Sequence, residues 1–209
     1  KNRIEHKIAA VIAIILLTFP YIPVAEAATA SFPDIANSQY KESIESMREL
    51  DIIKGYSDGT FKPKNRLTRA EFATILVKAA NLDTSNVKAE SCFSDIKKDA
   101  WYQPFACKLK EENILKGYPD GTFKAGNKLK RSEIIQMICA SQNWETVQPS
   151  ERPFSDTPSS SYYSGCLAFA KENGYLDNFI GESDTRFLPG KEILRGEASQ
   201  LIFNSIVKT

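Results

Sequence analysis

Three arginines carry the clearest chemical signal in the chain. Arg69, Arg131 and Arg195 each stand eight residues after a phenylalanine (Phe61, Phe123, Phe187) and two before a glutamate (Glu71, Glu133, Glu197). Around Arg69 the run L-T-R-A-E has capping-box spacing, with Thr68 as N-cap and Glu71 reaching back to its amide, which puts the arginine in the first turn of a helix. That end of a helix carries partial positive charge and prefers acids, so a cation placed there three times needs a reason. Two reasons stand open. The arginine pairs with an acid of its own protein, a nearby glutamate or a loop aspartate. Alternatively, guanidinium and free N–H groups together receive an external carboxylate or phosphate.

The elements that deliver these arginines recur. Residues 55–71 read G-Y-S-D-G-T-F-K-P-K-N-R-L-T-R-A-E, and the pattern returns 62 residues on, without a gap, over residues 117–133. A drifted copy occupies residues 181–197. Gly55 and Gly117 open the first two copies, and Asp58-Gly59 and Asp120-Gly121 are turn dipeptides in which glycine takes positive φ. Phe61, Phe123 and Phe187 then plug the turn onto a core. Upstream, Phe32, Phe93 and Phe154 begin the three copies at intervals of 61 residues, with Asp34, Asp95 and Asp156 two positions later and Tyr40, Trp101 and Tyr162 eight positions later. The aspartates are expected to help begin the first helix of each copy. Apolar residues at helical spacing follow, as in Ile44, Met47 and Leu50, and again after each arginine, as in Phe72, Ile75, Leu76 and Ala79. The expected fold is mainly α: three helix-loop-helix repeats at 28–82, 92–144 and 153–209, joined by short polar linkers at 83–91 and 145–152. A lone helix pair buries little, so the repeats must stack. Spacing alone leaves a closed threefold ring and an open row equally available.

Composition narrows the functions. Of 209 residues, 42% are hydrophobic and 11% aromatic, enough for real cores, and the net charge is +1. Residues 1–27 have the form of a secretory signal: Lys1, Arg3 and Lys7, a twelve-residue apolar stretch over 8–19, Pro20 and Pro23, and Ala25-Glu26-Ala27 as a cleavage site. Export with cleavage after Ala27 is expected. The remainder has 24 basic and 24 acidic residues, so no broad field favours nucleic acid and an acidic ligand must be caught locally. The single histidine, His6, lies outside the repeats, which excludes a His-based catalytic site in them. The loop acids lack the ligand ladder of an EF-hand, so neither metal nor cofactor is expected. In an exported chain the four cysteines can pair in three ways; Cys92–Cys107 and Cys139–Cys166 are the favoured pairs.

The features F-x-D-I, the aromatic eight residues on, G-Y-x-D-G-T-F and L-T-R-A-E, in one order at one period, resemble the S-layer homology (SLH) domain in three tandem copies from Phe32 to about Val207. The resemblance implies a compact, mostly helical, pseudo-threefold body with grooves between neighbouring repeats. It also implies non-covalent binding to an acidic cell-wall polysaccharide, a secondary wall polymer often bearing pyruvyl ketals, and a place in the cell wall or S-layer. The arginine of T-R-A-E is the family's main contact to that acid, which carries over to Arg69, Arg131 and Arg195. Departures rank those sites in that order. Lys130 replaces the capping threonine, and Gly196 stands in the first turn of the third helix without a polar cap. Four extra residues surround 177–180, and Glu182 stands where Tyr56 and Tyr118 stand, an acid that would repel an anionic sugar. Tyr40, Trp101 and Tyr162 suit stacking on a sugar face or, equally, wedging a helix onto the core. Lys54 and Lys116 offer a second cation to the groove or a solvated surface.

Two other functions compete with a wall anchor. A glycan hydrolase would use Glu71 or Glu133 with a loop aspartate as its carboxylate pair, but acids present in every repeat are not a single active site. A surface module for protein contacts or self-association would use the drifted third repeat, and the mass in solution reads that directly. The expectation is a binding protein without catalysis and without affinity for nucleic acid or, once the signal is removed, for membrane.

Overall fold

Three extended segments meet at the centre of the molecule, each just ahead of a helix. Leu67 N–H donates to the Ile193 carbonyl (3.1 Å), Ile193 N–H to Leu129 (2.8 Å) and Leu129 N–H to Leu67 (3.2 Å), a closed cycle of main-chain hydrogen bonds. The three side chains are wholly buried. This cycle settles the choice left open by spacing: the units close into a ring, since a row would leave its end segments unpaired.

The computed structural model describes residues 31–87, 92–179 and 185–207. The expected signal at 1–27 lies outside them, as do Gly181 and Glu182. Each unit contributes two helices: α1 (Lys41–Glu49) and α2 (Arg69–Ala79), α3 (Gln103–Glu111) and α4 (Arg131–Ser141), α5 (Ser164–Glu172) and α6 (Arg195–Ile202). No strand is assigned among the described residues, and none of their helices is long and apolar enough to cross a membrane. The second helix of each unit packs on the first helix of the next, α2 on α3, α4 on α5 and α6 on α1.

The second helices all begin at the arginine itself. At α2 the capping box is complete: Glu71 N–H donates to the Thr68 hydroxyl (3.2 Å) and Thr68 N–H to the Glu71 carboxylate (2.9 Å). At α4 and α6 the glutamate half survives, with Lys130 N–H on Glu133 (2.8 Å) and Leu194 N–H on Glu197 (3.1 Å). The first helical N–H groups, which have no partner inside a helix, are taken by the neighbouring unit. Arg69, Arg131 and Arg195 N–H donate to the carbonyls of Asn127, Lys191 and Asn65 at 2.8–3.0 Å, and the next residues donate to Ala125, Pro189 and Pro63. The expectation of free N–H groups waiting for an anion is therefore corrected: the ring itself consumes them.

The conserved-period aspartates also act differently from expectation. Instead of starting α1, α3 and α5, whose N-caps make no side-chain bond, they staple the loop. Asp34 accepts from Phe61 and Lys62 N–H (2.9 and 2.7 Å), Asp95 from Phe123 and Lys124 (2.7 Å each), and Asp156 from Phe187 and Leu188 (2.9 Å each). The staple holds Lys62, Lys124 and Leu188 at φ of 55–58°, a left-handed backbone that these side chains resist. Above it Phe32 meets Phe61 and Phe93 meets Phe123, each at 5.5 Å between centroids, and Phe154 meets Phe187 at 5.9 Å. Gly59 and Gly121 take the turn at φ of 78° and 77°. Disulfides join Cys92 to Cys107 within the second unit and Cys139 to Cys166 between α4 and α5, the two pairs favoured from sequence.

Replacing Asp156 by Ala leaves two loop amides without their charged acceptor, each such bond contributing on the order of 1.5 kcal/mol. The expected outcome is a fall in the thermal midpoint of about 5–10 °C, read by circular dichroism.

Candidate functional site

Each of the three arginines crosses a seam between units. Arg69 Nε donates to the Phe123 carbonyl at 2.8 Å, Arg195 Nε to the Phe61 carbonyl at 3.0 Å, and Arg131 Nη1 to the Phe187 carbonyl at 2.8 Å. Each then meets the glutamate of the neighbouring unit: Arg69 with Glu133 at 3.8 Å, Arg195 with Glu71 at 3.3 Å and Arg131 with Glu197 at 2.7 Å. The guanidinium groups also lie against aromatic rings of that unit: Arg69 on Tyr118, Arg195 on Tyr56 and Arg131 on Phe179, at 4.8–5.0 Å. All three side chains are buried. The arginines are thus paired with the protein's own acids, but not with the acids in sequence reach. The partner is 64 or 66 residues onward, or 124 back, which no local pattern reveals.

The three seams differ in what lies above the pair. Over Arg69 opens a groove of about 520 Å3, lined by Asn113, Lys116, Glu133, Gln136 and Tyr162 among others. Over Arg195 opens one of about 310 Å3, with Lys54, Tyr56, Glu71, Lys78 and Trp101 in its walls. In these two the glutamate side chain keeps 28% and 21% of its exposure, against 4% for Glu197. Trp101 and Tyr162 stand exposed at the rims, 60% and 66%. Tyr40, their counterpart, is half-buried over Gly196, where a Cβ would lie 2.3 Å from its ring. The glycine that weakens the third helix start makes room for that ring.

At the Arg131 seam the ion pair itself is buried, and the described part of the third unit's inserted segment lies against it. Phe179 is wholly buried, packs on Phe187 at 6.2 Å, and takes the place beside Arg131 that Tyr118 takes beside Arg69. Asn204, bonded to Gln200, donates to the carbonyls of Tyr175 and Asp177 and pins the segment. Glu182, expected in the tyrosine's place, lies outside the described residues; Phe179 is what faces the arginine. The order Arg69, Arg131, Arg195 is corrected accordingly: Arg195 lines an open groove, while Arg131 sits in the tightest and most buried pair.

Lys54 and Lys116 line the two grooves. Lys54 is 3.4 Å from Asp51, and its carbonyl accepts from Arg195 Nη2. Lys78, which the sequence did not single out, donates to the Asp51 carbonyl at 2.7 Å and lines the same groove. The loop acids serve their own turns. Hydrogen bonds from Lys62 and Thr60 hold the Asp58 carboxyl far below its ordinary value, and those from Thr122 and Lys124 bring Asp120 to about 2. Among the described residues, no cluster of His, Cys, Asp and Glu could hold a metal ion.

Burial pushes the Glu197 carboxyl up, but hydrogen bonds from Arg131 and Lys191 outweigh it and leave it below the ordinary 4.5. Glu71, held by Thr68, Arg195 and Tyr56 against its own burial, is lowered likewise. A lowered folded-state value gives stability that is full above the unfolded value and lost as pH falls through the folded one. The unfolding midpoint is therefore expected to be level above about pH 5 and to fall below about pH 4.5. Glu197→Gln strands a buried guanidinium and is expected to cost about 3–5 kcal/mol at neutral pH. Glu133→Gln, in the looser and wetter pair, is expected to cost about 1 kcal/mol. Denaturant unfolding compares the two.

Known proteins bear on the same residues. Segments 31–73 and 93–135 each match the family model of the S-layer homology domain. The chain is 37% identical over 121 residues to Cell surface glycoprotein 1 of Acetivibrio thermocellus, across 51% of this chain and 5% of the relative. It is 31% identical over 164 residues to the Cellulosome-anchoring protein of that organism, across 76% of this chain and 36% of the relative. To S-layer protein sap of Bacillus anthracis it is 28% identical over 186 residues, across 86% and 22%. The chain thus spans between 5% and 36% of the length of these relatives. Its third unit, built like the others, lies outside the matched segments. Segments of the first two units are thus similar to the S-layer homology domain.

Proposed function

We propose that the chain is a wall anchor that holds an acidic sugar of a cell-wall polysaccharide in the two open grooves. It works outside the cell, at the surface, as a binding module without catalysis. The observation that carries this reading is the contrast between seams. Beside each groove the arginine pairs loosely, at 3.8 or 3.3 Å, with a glutamate that solvent reaches; at the Arg131 seam the pair is 2.7 Å and buried. A loose pair leaves guanidinium hydrogens to spare, and Lys116 or Lys54 and Lys78 give each groove a surplus of positive charge. A carboxylate of pyruvyl-ketal type fits between the arginine fork and the lysine, the charge-assisted geometry that arginine suits. Tyr162 and Trp101 then offer a face for the sugar ring. On this reading the third unit is a drifted SLH repeat whose own seam no longer binds, and Tyr40 is a cover instead of a platform.

The names of the relatives fit this reading: one is a cellulosome-anchoring protein and another an S-layer protein. The match to an exoglucanase of Acetivibrio thermocellus covers only 17% of that relative, and the described residues supply no isolated pair of catalytic acids.

Because the arginines also hold the fold, the rim residues make the cleaner test. Trp101→Ala and Tyr162→Ala are each expected to weaken pull-down by purified wall polymer several-fold, with the thermal midpoint unmoved, and together to abolish it; stacking of this kind is worth about 1 kcal/mol or more. Chemical removal of the ketal acid is expected to do the same to the parent. Undiminished binding by the double variant would overturn the groove mechanism, and a mass of two or more chains in solution would favour self-association instead.

A further inference from the structure

The central pairings gather charge at one end of the ring, away from both grooves. Arg66 bridges to Leu194, Thr68 to Lys128 and Lys130 to Glu192, and beside them lies a depression of about 430 Å3 lined by Lys64, Asn65, Arg66, Lys128 and Leu194. None of these residues lines either groove. Three of the five are cations and none is an acid. The adjoining Glu192 accepts from Arg66 Nε at 2.7 Å and offsets one charge. Lys64 has no carboxylate partner among the described residues, and Lys128 donates only to the Arg66 carbonyl, at 3.3 Å. Lys130, exposed next to them, adds to the excess. This concentration is local, since beyond residue 27 the chain has equal numbers of basic and acidic residues.

We propose that this axial depression is a second binding site, for a phosphate group carried on a sugar or polyol. Like charges brought together from two units, with one acid among them, repel each other until an anion sits between them. The donors differ in kind: two compact ammonium groups, a guanidinium with its terminal nitrogens still open, and the Asn65 amide. They approach from two units, which suits a tetrahedral ion with acceptors on every side better than a planar carboxylate. A bare phosphate underfills the space, which lies in the range of pockets for small organic ligands, from about 300 Å3 upward. Leu194 supplies the apolar wall for the carbon skeleton.

The test is calorimetric titration of the full chain at low ionic strength with glycerol 3-phosphate, and with acetate as the carboxylate control. Saturable binding of glycerol 3-phosphate is expected, falling with added salt. Lys64→Gln and Lys128→Gln are each expected to weaken it about tenfold, the effect of one charge-assisted contact. Both lysines are exposed, so the fold is not at stake, and an unchanged unfolding midpoint verifies it. Trp101→Ala, which alters only a groove, is expected to leave the affinity unchanged, so failure here and failure of the groove reading are separable. Poly(glycerol phosphate) binding more tightly than the monoester assigns the ligand to a polymer; the reverse assigns it to a soluble metabolite. Equal affinity for acetate, or no loss in the lysine double variant, would overturn the proposal.

Discussion

A guanidinium buried at each seam, with its hydrogen-bond partners in the neighbouring unit, is the constraint from which the architecture follows. Arg69, Arg131 and Arg195 spend their hydrogen bonds on a phenylalanine carbonyl and a glutamate that belong to the next unit round. A buried charge with its partner removed is far more costly than an exposed one. In an open row the last arginine and the first glutamate would both be stranded, so the closed ring is the arrangement of three such units that strands neither. The main-chain cycle through Leu67, Leu129 and Ile193 closes the same loop with neutral groups. Hydrophobic burial stabilises the body; the crossing arginines decide how its parts are ordered.

The seams share this chemistry and diverge above it. Two have a cleft over the ion pair, with an exposed aromatic on the rim; at the other, Phe179 lies against the arginine and Tyr40 is seated on Gly196. The ion pair there is shorter, 2.7 Å against 3.3–3.8 Å, and its carboxylate is out of water.

Much of this was legible in the chain. The repeat, the helix starts at Thr68-Arg69, the turn glycines and the plugging phenylalanines follow from local rules, because their partners lie within a few residues. What sequence reading missed was non-local. Asp34 looks like a helix starter by position, yet its acceptors' partners are amides 27 and 28 residues away. Glu133 and Glu197 look like capping residues, which they are, but their second oxygen serves an arginine of another unit. Phe179 carried a faint signal, an aromatic in an insertion, with nothing to say which groove it would enter. Glu182 drew attention instead because it aligned in register, and register is what an insertion disturbs.

Each open groove is also a joint product. The cleft over Arg69 takes its floor from the first unit, its wall from α4 and its rim from Tyr162, while the cleft over Arg195 draws on the third unit, α2 and Trp101. No single helix pair forms a whole groove: each draws side chains from all three units. The last copy lends Arg195 to one cleft and Tyr162 to the other, so a chain shortened by it would forfeit both at once.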